Sequence, residues 1–141
     1  MRKHRFRRTV AILAGLITIV LLTILTDVLL QQSGIFPVPP HSFNNWWMIL
    51  LAVAYRTLFS VAGSFVTAAL VPAKHMYHAM LTGIICVVLN VAGGIIMRNQ
   101  APLIYPLALT LLALPAAWMG GKLERLRRYQ ERTFPVRIHF L

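Results

Sequence analysis

Apolar residues run through this chain in four long blocks, and the segments before the first and after the last carry most of its charge. The blocks cover about residues 10–30, 47–71, 76–97 and 103–119, each near the roughly 20 residues that a helix needs to cross a bilayer. Within them the small and polar residues recur at spacings of three and four, which predicts helices with one small-residue face. The first block follows a basic start, as in a signal peptide. It is too long for one, however, and Gln31-Gln32-Ser33-Gly34 follows it where a cleavage site would lie, so a retained helix is expected.

The breaks have their own chemistry. In 31–45, Phe36-Pro37-Val38-Pro39-Pro40 lacks the backbone donors a helix interior needs, and the prolines bias their predecessors to extended geometry. Trp46-Trp47 stand where an aromatic belt belongs, as do Tyr105 and Trp118. Pro72-Ala73-Lys74-His75 and Arg98-Asn99-Gln100-Ala101-Pro102 read as tight turns. In the fourth block Pro106 falls in the first turn, and Pro115, deeper, is expected to kink the helix. After Gly120-Gly121 the sequence becomes basic. Residues 122–132 fit either a helix lying on anionic headgroups or a solvated tail, with Glu124 pairing with Arg127 or Arg128 at helical spacing. Residues 134–141 alternate like a short strand.

Composition sharpens the class. Of the 141 residues 58% are hydrophobic and 12% charged, where a soluble domain has about a quarter charged; the mean hydropathy is +0.70. One membrane domain, all-α, is the expectation, flanked by a basic segment at 1–9 and a basic tail at 122–141. The net charge of +11 would suit nucleic acid, but the basic residues flank the apolar blocks, which favours cytoplasmic flanks and anionic phospholipids instead. Placing both termini inside puts twelve of the 14 Lys and Arg on the inner side, with Arg98 alone outside and Arg56 in the membrane. That contrast obeys the positive-inside rule. Cys86 is the single cysteine, so it reads as a small packed hydrophobe rather than part of a disulfide.

The polar residues inside the blocks are the candidate chemistry. Arg56 interrupts the apolar run 52–63, and a charge at that depth needs a partner. Asp27 is the only acid in an apolar block. On a helical period Ala52, Arg56, Ser60, Gly63 and Thr67 share one face of the second helix, and Leu51, Leu58, Val61 and Phe65 are left for lipid. Gly83, Cys86, Asn90, Gly93 and Met97 share a face of the third, Thr110, Ala113, Ala117 and Gly121 of the fourth, and Thr23, Asp27 and Gln31 of the first. At about 1.5 Å per residue, Arg56, Asn90 and Thr110 lie roughly 10–13 Å below the outer boundary and Asp27 about 5 Å below it. An intramembrane cluster of Asp27, Tyr55, Arg56, Asn90 and Thr110 is therefore expected in the outer half of the bundle. It serves either to fix helix register or to line a path for an ion, proton or anion. The first is preferred, because paired opposite charges neutralise each other. Ser60 and Ser64 have no histidine at their depth, so no catalytic site is expected. His75 and His78 read as interfacial groups rather than metal ligands, and no cofactor is implied.

Two resemblances bear on this. In size and hydropathy the chain is similar to the small multidrug resistance transporters, but it lacks the glutamate those carry in the middle of the first helix. From about Thr26 to Leu123 it resembles a group of short, uncharacterised four-helix bacterial inner-membrane proteins. The motifs are Thr26-Asp27, Gly34-Ile35-Phe36-Pro37, Ala54-Tyr55-Arg56, Val71-Pro72, and Tyr105-Pro106 leading to Leu114-Pro115-Ala116-Ala117-Trp118-Met119-Gly120-Gly121. That resemblance implies a four-helix membrane domain and no activity. The expected function is thus a non-enzymatic accessory or structural membrane component, partnered by lipid, another membrane protein or a second copy. A small transporter or channel subunit using Asp27, Arg56 and Asn90 is the alternative.

Overall fold

The computed structural model describes residues 2–37, 45–99 and 101–133 and contains four helices among them. These are α1 (Arg2–Gln32), α2 (Trp46–Leu70), α3 (His75–Ile96) and α4 (Ile104–Thr133). No strand occurs among the described residues; the strand-like stretch 134–141 lies outside them. All four helices are long and apolar enough to cross a membrane. The 25 residues of α2, for example, extend about 37 Å.

α2 is the hub, packing against each of the other three helices. α3 and α4 pack together along much of their length, α1 lies along α2 and touches α3 briefly, and α1 and α4 do not meet. The interior is built from small side chains: Ala52, Ala68, Ala79, Ala113, Ala116 and Ala117, with Ser64, Thr67 and Thr82. Large apolar side chains point outward. Ala68 is 0% exposed where Leu111 is 75% exposed. That is the reverse of a water-soluble core, and it suits helices that associate by close approach while lipid solvates the bulky residues.

Close approach is concentrated at a few glycines. Gly15 of α1 lies against Thr67 and Gly63 of α2, so that a Cβ there would collide with the Thr67 hydroxyl. At Gly120 a Cβ would come within 2.6 Å of the Val61 carbonyl oxygen and 2.8 Å of the Phe65 nitrogen. The Thr67 hydroxyl also accepts a hydrogen bond from Thr82 at 3.1 Å. Thr67 thus stands where α1, α2 and α3 converge.

The structure corrects several expectations. α4 does not end near residue 119 but continues through Gly120 and Gly121 to Thr133. The glycine pair lets the α4 backbone close on α2 at Gly120 and on Met76 and Ala79 of α3 at Gly121. Val61 and Phe65, assigned to lipid, are half-buried, because α2 is packed on more than one side and α4 lies on that second face. In α3 the tight approach is at Gly94, against Pro106, while a Cβ at Gly93 would meet nothing within 4 Å. α1 also starts earlier than residue 10, at Arg2.

Gly120→Val is expected to cost about 2 kcal/mol through overpacking against backbone that cannot move aside. Gly93→Ala should leave stability unchanged or slightly raised. Unfolding of both variants in detergent against the parent chain checks the contrast.

Candidate functional site

Asp27 sits about one and a half turns before the end of α1 and Arg56 about three turns into α2. Because a short connection makes the two helices antiparallel, both fall at the same end of the bundle. Arg56 Nη2 donates to Asp27 Oδ2 at 2.7 Å. The Tyr55 hydroxyl donates to the other carboxylate oxygen, Oδ1. Both oxygens of the acid are therefore engaged, by adjacent residues of one helix. The guanidinium carbon of Arg56 lies 5.6 Å from the centroid of the Tyr105 ring, a cation–π distance. The pair is half-buried, with side chains 32% (Arg56) and 26% (Asp27) exposed.

Arg56 keeps one orphan. Its Nε is buried and has no hydrogen-bond partner. Two cavities adjoin the residue. One of about 200 Å³ is lined from all four helices, with Thr23, Ser60, Cys86 and Asn90 among mostly apolar side chains. The other, of about 130 Å³, is lined by Asn90, Gly93, Gly94 and Tyr105. Arg56 and Asn90 border both.

The expected cluster is thus assembled in part. Asp27, Tyr55 and Arg56 are in direct contact. Asn90 shares cavities with Arg56, but no hydrogen bond joins it to Arg56 or Asp27. Thr110 is not drawn in: its hydroxyl donates to the Pro106 carbonyl at 2.7 Å, and it lines neither cavity. A threonine after a proline in the first turns of a helix has a carbonyl four residues back to bond, and that local partner wins here.

Two participants were not foreseen. Tyr105 reads from sequence as a belt residue, yet it is half-buried and faces Arg56. Phe36 is 3% exposed and its ring lies 6.3 Å from that of Tyr55, which in turn stands 5.6 Å from Phe59. The chain turns back to deliver Phe36 because Gly34 takes the left-handed conformation at φ 71°, and the Ile35 and Phe36 nitrogens donate to the Leu30 carbonyl. A glycine just past an apolar helix, followed by large hydrophobes, is the available signal, since such caps bring a later apolar side chain onto the last turns.

A second polar group lies at the other end. Glu124 is 2% exposed, and its Oε1 accepts from Arg128 Nε at 2.8 Å. Arg128 Nη2 reaches the Ala69 carbonyl near the end of α2 at 3.2 Å, and Arg127 Nη1 lies 3.8 Å from Glu124 Oε2. His75 Nδ1 bonds the Ala68 carbonyl at 2.7 Å and His78 Nδ1 the Lys74 carbonyl at 3.0 Å. The stretch 122–132 is helical and is anchored to the bundle at Glu124 and Arg128, while its other side chains are exposed. Among the described residues no three His, Cys, Asp or Glu side chains come together as a metal set.

Compared with protein-family models, curated protein sequences and solved structures, the chain gives no significant match.

Removing one partner of the cluster should be costly, because it strands a charge that the protein has withdrawn from solvent. Arg56→Leu is expected to destabilise the chain by about 3 kcal/mol. Tyr55→Phe, which frees one carboxylate oxygen, should cost about 1–2 kcal/mol. Asp27→Asn, which keeps an acceptor for Arg56, should cost less than Arg56→Leu. Folded yield and unfolding midpoint in detergent rank the three.

Proposed function

We propose that this chain is a multi-pass protein of the bacterial inner membrane, with both termini cytoplasmic, acting as a non-enzymatic accessory or structural membrane component. The observation that carries this reading is the closed Asp27 carboxylate. With Arg56 on one oxygen and Tyr55 on the other, the acid is committed to holding α1 on α2 rather than free to exchange a proton. The outward-facing apolar side chains and the asymmetry of basic residues support insertion and orientation. Its partner is a membrane protein or a second copy, engaged through the lipid-facing helix surfaces.

A small transporter or channel subunit is the second reading, and the two cavities flanking Arg56 favour it. Asn90 borders both, and the orphaned Arg56 Nε is a donor that an anion would satisfy. Neither cavity is large for a conducting path, so this role requires several copies.

Reconstitution separates the two. Liposomes carrying the purified chain are expected to pass protons and small anions no faster than empty ones. A flux that Asp27→Asn or Asn90→Leu abolishes would replace the accessory reading with the transport one. Reporter fusions at the two termini should both be active only in the cytoplasm, and one in the 31–45 connection only outside.

A further inference from the structure

Where α3 begins beside the extended part of α4, the structure forms a cleft of about 900 Å³, within the size range of small-molecule sites. Among the described residues six basic ones line it: Lys74, His75, Lys122, Arg125, Arg128 and Arg132. No acid does. Two of the three acids of the chain are close by on α4, but Glu124 is bound to Arg128 and Arg127, and Glu131 to Arg127 at 3.0 Å. Neither is available to neutralise Lys122, Arg125 or Arg132. Like charges brought to one concave surface repel unless an anion joins them, so the cleft has the electrostatics of a binding site.

Its walls are held in place. Arg128 is fixed by Glu124 and by the Ala69 carbonyl, His75 by the Ala68 carbonyl, and the Lys122 ammonium lies 4.6 Å from the centroid of the Trp118 ring. Tyr77 and Tyr129 complete the lining and are largely exposed, as is Leu126. Cations, tyrosine hydroxyls and an apolar edge in one place match a phosphate headgroup with its acyl chains alongside. Trp118 lies one turn deeper in α4, as an interfacial aromatic should.

We infer that this cleft binds the headgroup of an anionic phospholipid from the cytoplasmic leaflet. This rests on the membrane reading above and goes beyond a general attraction of basic ends to acidic lipid. The site is defined, and Lys122, Arg125 and Arg132 supply charge while Arg128 supplies the frame.

Native mass spectrometry of the full chain in neutral detergent tests it, with cardiolipin and phosphatidylcholine as probes. Cardiolipin should be retained and phosphatidylcholine should not. The Arg125→Gln/Arg132→Gln variant should weaken cardiolipin binding by roughly 30-fold, from two lost surface charges. An Arg7→Gln/Arg98→Gln variant loses the same charge outside the cleft and should bind as the parent does. Both variants change exposed side chains, and an unaltered unfolding midpoint verifies that they fold. Equal loss in the two variants, equal retention of phosphatidylcholine, or displacement of the lipid by equimolar inorganic pyrophosphate would overturn the assignment. Carbonate extraction of cell membranes separates this from the parent reading. A chain released by carbonate refutes membrane insertion, whereas a retained chain with an unaffected Arg125/Arg132 variant refutes the cleft alone.

Discussion

A guanidinium in the middle of an apolar helix constrains everything near it. A guanidinium among apolar side chains needs a counter-charge, so α2 must present Arg56 to a neighbour that carries an acid, and Asp27 is the only acid in an apolar block of the chain. That requirement sets the rotation of α2 and the vertical register of α1 against it. Once the pair is made, Gly63 meets Gly15 and Ile19 two turns further down, and Thr67 comes within reach of Thr82. Dispersion between small residues holds the helices over their length; the ion pair selects which of many similar packings is used. Tyr55, Tyr105 and Phe36 then shield a charge pair that water does not fully solvate.

The two ends of the bundle use charge differently. At the Asp27 end one acid meets one arginine and the charges cancel. At the Glu124 end the acid is also buried and paired, yet basic residues around it remain in excess. Glu124 fastens α4 to the end of α2 through Arg128, and this turns the surplus cations of α4 toward the start of α3. The long α4 is therefore two things in one helix: an apolar span, and a basic extension anchored by a buried carboxylate.

Much of the fold was legible because its determinants are local. Four apolar blocks, small residues at helical spacing and prolines at the breaks predict four helices within a few residues of their observed limits, except at the start of α1 and the end of α4. The end of α4 was missed because the composition turns basic after Gly121, and a change of composition ends an apolar block without ending the helix. The Asp27–Arg56 contact was legible by elimination, since each charge had one candidate partner. Tyr105 was not, as its ring reaches Arg56 only through the packing of α4 on α2. Thr110 shows the converse error: matched depth is not contact, and a hydroxyl with a carbonyl four residues behind it has no need of a distant partner. Glu124 lay in a run that looks solvated, and its burial beside Arg128, which reaches the Ala69 carbonyl, depends on how α4 packs.

If register depends on the ion pair, the energies of its two members must be coupled. The direct measurement is a double-mutant cycle in detergent unfolding with Asp27→Asn, Arg56→Gln and the double variant. A coupling of about 1–3 kcal/mol is expected for charged groups in hydrogen-bonded contact. Single-variant effects that add to the double within about 0.5 kcal/mol would mean that the two residues act independently, and would contradict the pair as the feature on which the bundle is arranged.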